Sequence, residues 1–364
     1  MKKIFFICGD KSADLYAGML AKTLNQKYPG IKLYSCGGKN LAAHSEQLIN
    51  LVDHSVTGFV EVLAGLPNIL KTFNNILAEI DRIKPDLVIP LDFPDFNLRL
   101  IEKLNRKYPI FYYISPQVWA WRQNRVEQIK KYTDKMIVLF KFEQEFYQKT
   151  GVTAEYFGHP LLEIIPDNAV PAKKIIALMP GSRRNEIKAN LPVMLSACEI
   201  LKREFPQYAL RLIRPDNLPE SFYRQIAPAI EITAHSYPVV AESAFILASS
   251  GTLTVELAIL GIPFLIMYKV NSLSWMIAKL MVTSPLVREH GIGMVNILAG
   301  KKIIPEFLQN KATPENIAAT AREFLFDKQK YQQTKLDLRT VKNSLTPIGA
   351  TGQFAEHIGK YLKL

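Results

Sequence analysis

The strongest constraint on the fold is a rhythm. Short apolar runs of strand length alternate with amphipathic stretches of helix length through most of the chain. That pattern belongs to parallel sheets whose strands are joined by crossover helices. In the first half the strand candidates are Lys3–Cys8, Ile31–Cys36, Leu87–Pro90, Ile110–Ile114, Met136–Phe140 and Ala154–Phe157. The segment Glu163–Lys174, with two prolines and mixed charge, reads as a linker. The alternation restarts with Ile175–Met179, Tyr208–Ile213, Ile230–Thr233, Phe245–Leu247 and Phe264–Met267. Thr313-Pro314-Glu315 reads as an N-cap with proline at N1, opening the terminal helices. The expected architecture is α/β, with two Rossmann-like domains facing across a cleft at the carboxyl ends of both sheets. Residues 1–165 form the expected first domain and 174–345 the second. A terminal helix in 346–364 is left to pack on the first domain or on a partner.

Bulk properties narrow the partners. A chain of 364 residues is too long for one ordinary domain, and 48% apolar with 21% charged residues excludes a disordered protein. The net charge of +12 favours an anionic partner: nucleotide, phosphorylated substrate, nucleic acid or anionic lipid. The basic residues are dispersed, which argues against a nucleic-acid arm. Cys8, Cys36 and Cys198 show no CxxC or zinc spacing, which fits a reduced cytosolic setting. The apolar stretch Ile4–Ile7 is too short for a signal peptide, and Gly9–Asp10 follows at once. No apolar run reaches the length of a membrane span; Ile262–Val287 comes nearest, interrupted by Lys269, Asn271 and Lys279.

Two turns in the second half have the composition of anion sites. Phe245–Pro263 reads as a strand, a small-residue turn (Ser249, Ser250, Gly251, Thr252) and a helix carrying one acid, Glu256. Unpaired N–H groups and the helix dipole suit a diphosphate there, and the carboxylate suits ribose hydroxyls. The competing reading is a plain βα unit whose acid complements the dipole. Gly181, Ser182 and Arg183 follow Ile175–Met179 in the same way and add a cation. No Walker A pattern is present.

In the first half, the turn Gly9–Asp14, with Asp10 and Ser12, lacks GxGxxG, which disfavours NAD or FAD. Asp92 and Asp95 follow the strand at Leu87–Pro90, where two acids suit general-base work. Capping the helix that follows is the commoner fate of a residue placed like Asp95. His159 reads as a hinge contact or a substrate hydrogen-bonder. The tract Ser115–Arg125 sets Trp119 and Trp121 beside Arg122 and Arg125, a core pair or a ligand wall. Val56–Arg82 holds more apolar residues (Phe59, Val60, Val62, Leu63, Leu66, Ile69, Leu70, Phe73) than one buried helix face needs. Core packing is the first reading of it, a lipid-facing surface the sharper one.

The tract SPQVWAWRQNR resembles the signature of bacterial lipid-A-disaccharide synthases. PDFN at Pro94–Asn97, GHPLLE at Gly158–Glu163, MPGSR at Met179–Arg183, SSGTLTVE and Val295–Gln309 follow in that family's order, so the resemblance spans nearly the whole chain. It implies a glycosyltransferase of the two-domain GT-B type that joins UDP-2,3-diacylglucosamine to 2,3-diacylglucosamine 1-phosphate through a β-1,6 bond, releasing UDP. By the same resemblance Asp95 matches the catalytic aspartate, Arg183, Glu256 and Asn296 match donor-side positions, and Val56–Phe73 the lipid-exposed segment. Asp10 and Ala13 depart from the family's glutamate and glycine in the first loop, and Val295 from a usual proline. If that glycine requires positive φ, Ala13 is strained.

The resulting expectation is a single inverting displacement without metal or cofactor. Asp95, with Asp92, takes the acceptor's proton. Gly181, Ser182, Arg183, Ser250, Gly251, Thr252, Glu256 and Asn296 hold the donor, while Asp10, Ser12, His159, Trp121 and Arg122 line the acceptor side. The expected setting is cytoplasmic, on the anionic inner-membrane surface, with a homodimer possible in principle and no nucleic acid. Rival readings are another GT-B-like UDP-N-acetylglucosamine enzyme, either epimerase or peptidoglycan transferase, and a non-catalytic nucleotide-sugar or lipid-binding paralogue.

Overall fold

The computed structural model describes residues 1–52, 59–167, 172–269 and 284–364, and of 59–68 the backbone alone. It divides into two compact units, Met1–Pro160 with Leu345–Leu364, and Leu161–Ser344.

The first unit holds strands β1 (Lys3–Cys8), β2 (Lys32–Gly37), β3 (Glu46–Asn50), β4 (Leu87–Leu91), β5 (Phe111–Tyr113), β6 (Lys135–Val138) and β7 (Ala154–Tyr156). They form one seven-stranded sheet in the order β3-β2-β1-β4-β5-β6-β7, and every pair is parallel. Such sheets bury both faces. Accordingly Ile4–Cys8 and Leu87–Ile89 are fully shielded, and Phe5, Ile7 and Val88 join one core with Tyr112 and Tyr147.

The second unit holds β8 (Ile175–Met179), β9 (Ala209–Arg214), β10 (Glu231–Ala234), β11 (Phe245–Ala248), β12 (Phe264–Tyr268) and β13 (Glu306–Leu308). Their order is β10-β9-β8-β11-β12-β13, again all parallel. Apolar side chains on its two faces build two separate clusters.

In each sheet the strand order reverses once, between β1 and β4 and between β8 and β11. Ligands of open parallel sheets bind outside the carboxyl ends of the strands at such a reversal. Register places Cys8 beside Leu91 and Met179 beside Ala248, so the turns at Gly9, Asp92, Gly181 and Gly251 all leave their sheets at these points.

Two edge strands, β3 and β13, escape the sequence reading. EQLIN and EFL are short, half-exposed and only partly apolar, as edge strands commonly are. The linker segment begins inside a short helix, Leu161–Ile164, and 168–171 lie outside the described residues. Thr313 caps the helix Pro314–Phe326 as expected, its hydroxyl accepting from the Asn316 N–H at 3.2 Å. The last helix, Ala350–Leu362, packs on the first unit, where Phe354 meets Tyr113 and Phe157 at centroid distances of 5.0 and 5.8 Å.

Candidate active site

The turn after β4 is the most constrained part of the first unit. Asp92 and Phe93 are consecutive residues with positive φ, 43° and 48°, a conformation that costs energy away from glycine. The elbow is held from below. The Asn97 amide donates to the Leu91 carbonyl at 3.1 Å and to the Asp92 carbonyl at 2.8 Å, and the Tyr112 hydroxyl donates to Asp92 O at 2.6 Å. Phe93 lies so close over Gly9 that a Cβ there would meet its ring at 2.6 Å. Asp92 lies within electrostatic reach of Asp10, at the N-cap of the helix Lys11–Lys27. Burial first, and the charge of Asp10 second, push the Asp92 carboxyl up to about 7.

Asp95 stands one turn on, in the first turn of the helix Pro94–Leu104, and its side chain does not cap that helix. Arg122 Nη1 donates to its Oδ1 at 2.8 Å, and Arg125 Nη2 donates to the same oxygen. Partial burial works the other way, but the two guanidiniums hold this carboxyl below the usual range. The resemblance's proton acceptor is therefore a weak base in this form.

The tryptophan tract separates into two roles. Trp119 is core: its indole N–H donates to Glu143 Oε1 at 3.1 Å, beside a 2.9 Å bond from the Ser115 hydroxyl. Phe140 N–H donates to the other Glu143 oxygen at 3.2 Å. Burial pushes the Glu143 carboxyl up to about 7 against these bonds. Trp121 is exposed, with the Arg122 guanidinium 4.8 Å from its ring centre. Glu143 escaped the sequence reading because nothing local ties it to a tract more than twenty residues earlier.

Three expectations for the first unit need correction. His159 does not line an open site. It is buried against Tyr16 and Phe140, its backbone N–H donates to the Leu345 carbonyl at 3.0 Å, and burial drives its imidazole down to about 3. Ala13 lies inside the helix Lys11–Lys27 and is absent from the positive-φ residues, so the departure from glycine carries no backbone strain. Ile69 packs against the core, leaving Leu70, 56% exposed, as the outward residue of that pair. The expectations for the Phe59, Val60, Val62, Leu63 and Leu66 side chains lie outside the described residues. Ser12 is exposed in the first helical turn, beside the site.

Asp14, next in the same loop, is a structural acid. Its carboxylate accepts from the N–H groups of Gly38, Asn40 and Leu41 at 2.8, 2.9 and 3.2 Å, tying the turn after β2 to the first helix.

In the second unit the two turns meet: Ser249 N–H donates to the Met179 carbonyl at 2.9 Å. Gly181 has φ of 115°, and a Cβ there would run into the Glu186 carboxyl at 2.2 Å. That carboxylate already accepts from the N–H groups of Ser182 and Arg183, at 3.2 and 3.5 Å. The expected phosphate cradle is thus closed by an internal anion, and burial pushes the Glu186 carboxyl up. At the other turn, Ser250 is half-buried, Gly251 has φ of 134°, and Gly251 and Thr252 are exposed. Glu256 faces His235, Oε2 to Nε2 at 3.5 Å, a partner from the end of β10 that the sequence reading missed.

Asn296 also needs correction. It is fully buried: its amide donates to Ile304 O and Glu306 Oε1, both at 2.8 Å, and its Oδ1 accepts from Ile303 and Ile304 N–H, both at 2.9 Å. With donors and acceptor engaged internally, it shapes the loop and leaves nothing to offer a ligand directly.

The profile of the family described as Lipid-A-disaccharide synthetase matches residues 4–355. The chain belongs to that family. A Lipid-A-disaccharide synthase of Syntrophus aciditrophicus is 35% identical over 373 residues, covering 97% of this chain and 96% of that protein. One from Persephonella marina is 36% identical over 384 residues, with 98% of each covered. Among solved structures, the S. aureus MnaA–UDP complex superposes with a TM-score of 0.67 at 16% identity over 100% of this chain and 98% of its own. MurG of Acinetobacter baumannii gives 0.57 at 15% identity over 99% and 100%. These likenesses establish the fold, two parallel-sheet α/β units of GT-B type, as expected. Membership of the lipid-A-disaccharide synthetase family agrees with the motif order. Among the described residues no helix is long and apolar enough to cross a membrane, and no group of three or more His, Cys, Asp or Glu is set to hold a metal ion.

Proposed function

We propose that this chain transfers 2,3-diacylglucosamine from its UDP derivative to the 6-hydroxyl of 2,3-diacylglucosamine 1-phosphate, with inversion and release of UDP. Membership of the lipid-A-disaccharide synthetase family over residues 4–355 supports the reaction. The observation that carries its chemistry is the carboxylate pair at the strand-order reversal of the first sheet. Burial pushes the Asp92 carboxyl up to about 7, whereas the two arginines hold Asp95 below the usual carboxylate range. A protonated carboxyl donates and an ionised one accepts, so the two acids of this loop bring complementary chemistry to a hydroxyl. Asp95, the more exposed of the two, takes the proton, and Asp92 orients the attacking oxygen.

On the donor side, Glu256 binds the ribose and Arg183 with the turns at Gly181 and Gly251 stabilises the departing diphosphate, preorganised charge of the kind that dominates such barriers. Glu186 must swing aside for the diphosphate to use Ser182 and Arg183 N–H. The basic surface and the segment around Leu70 dock the protein on the anionic inner membrane.

Mass-spectrometric detection of the disaccharide from the two purified substrates tests the reaction. Asp95→Asn should lower kcat by about 10²–10⁴-fold while UDP still binds. Asp92→Asn keeps a neutral hydrogen-bond donor, so it should retain most activity and lose the decline expected as pH rises through about 7. Full turnover by Asp95→Asn would remove it as the base.

A further inference from the structure

We infer that Arg122 and Arg125 form the seat of the acceptor's phosphate, and that the phosphate arms Asp95 by replacing it there. The phosphate's identity rests on the reaction proposed above; the anion seat itself does not.

The charge arrangement is unequal. The Arg122 and Arg125 side chains are only 30% and 20% exposed, yet they share one carboxylate oxygen of an aspartate that is 66% exposed. Two half-buried cations against one surface anion leave a positive excess at the surface. Each guanidinium could present paired N–H groups to a tetrahedral dianion, a better match than a shared carboxylate oxygen. Arg122 has a second side-chain contact besides Asp95, and the backbone of Arg125 is fixed by its helix. Arg122 is stacked on Trp121 at 4.8 Å. Arg125 opens the helix Arg125–Tyr132, which Gln128 ties to the Asp95-bearing helix by donating to the Leu98 carbonyl at 3.1 Å and to Glu102 at 3.0 Å. Asp95 is the loose member.

A phosphate dianion that takes both arginines removes the charges that hold Asp95 down and sets a like charge near it. Both changes raise its basicity. Its carboxylate then accepts the proton of the 6-hydroxyl as that oxygen bonds to the anomeric carbon. The bond from that carbon to the UDP oxygen breaks, and its electron pair leaves with UDP. Without the acceptor, Asp95 stays bound to the arginines, so the proton acceptor is weak when only donor and water are present. A phosphate-triggered base would thereby limit wasteful hydrolysis of the donor.

Two experiments decide this. In the first, inorganic phosphate is titrated into the full chain by calorimetry, with thermal melts confirming that each variant is folded. Asp95→Asn, which deletes the resident anion, should bind phosphate about tenfold tighter, roughly 1.4 kcal/mol. Arg122→Gln and Arg125→Gln should lose binding, and Arg122→Lys should recover part of it. Unchanged or weaker binding by Asp95→Asn overturns the seat, whatever the enzyme's reaction proves to be. In the second, transfer is measured with acceptors carrying and lacking the 1-phosphate. Loss of the phosphate should lower kcat as well as raise KM, and added inorganic phosphate should restore kcat in the wild type but not in the Arg122→Gln/Arg125→Gln double variant. An effect on KM alone reduces the phosphate to an anchor and overturns the arming step. Absence of transfer with either acceptor counts against the proposed reaction, while the titration still decides the seat.

Discussion

Asn296 illustrates how a motif residue can matter without touching a ligand. Its amide group joins the Met294–Ala299 helix to Ile303, Ile304 and Glu306, and Glu306 in turn accepts from the N–H groups of Ile292 and Gly293, both at 2.9 Å. Asn296→Asp is nearly isosteric but replaces a donor by an anion facing the Ile304 carbonyl and the Glu306 carboxylate. It should cost about 1–3 kcal/mol of stability, read from urea unfolding, because buried polar groups lose their partners. The affinity of the folded fraction for UDP should stay within a few-fold of wild type; complete loss of UDP binding in a fully folded variant would restore Asn296 as a ligand contact. The same distinction separates Asp14 from Asp95, two acids near helix N-termini. Asp14 is buried and gathers backbone N–H groups, while Asp95 is exposed and gathers arginines.

At the scale of elements, the site is a set of strand ends forced into unusual backbone. Positive φ recurs at Asp92 and Phe93 after β4, at Ile114 after β5 (64°) and at Arg122 in the tract beyond (54°). For a β-branched residue such as Ile114 this is a marked cost, sustained only where the surroundings over-determine it. Glu143 is part of that surrounding, because it anchors Ser115 and Trp119 from another helix. Its raised value sets a sign for stability. Between about pH 4.5 and 7 the folded chain keeps a proton on Glu143 that the unfolded chain has lost, so the contribution of this group to stability falls as pH rises through this window. The slope has an upper limit of about 1.4 kcal/mol per pH unit for one group. Glu143→Gln should remove that contribution from urea midpoints taken at pH 5, 6 and 7, moving the slope in the positive direction, over a background in which Asp92 lowers stability with rising pH and the buried neutral His159 raises it. An unchanged slope would mean that Glu143 ionises normally.

At the scale of the molecule, the chain ends where it began. Leu345–Leu364 returns to the first unit, and Phe354, His357 and Tyr361 cover Tyr113, Phe157 and Phe111. Truncation after Ser344 should strip amide protection in hydrogen exchange from β5, β6 and β7 and leave β8, β11 and β12 protected; equal loss in both units would contradict the assignment of Leu345–Leu364 to the first unit. Much of this architecture was legible in the residues. Strands such as Phe5–Ile7 or Ile246–Ala248 are apolar on both faces because their sheets are buried on both faces, and the glycine turns follow them directly in the chain. Motif order identified the family for the same reason, since it is written in neighbouring letters. The sequence by itself therefore determined the two parallel sheets, their turns and the residue types gathered at them. Tertiary structure alone decided which of those residues remain open to a ligand. Asp95 meets Arg125 across thirty positions, Glu256 meets His235 from another strand, and Asn296 disappears into its own loop. Hydrogen-bond partners and burial depend on distance in space, and no local pattern of residues records it.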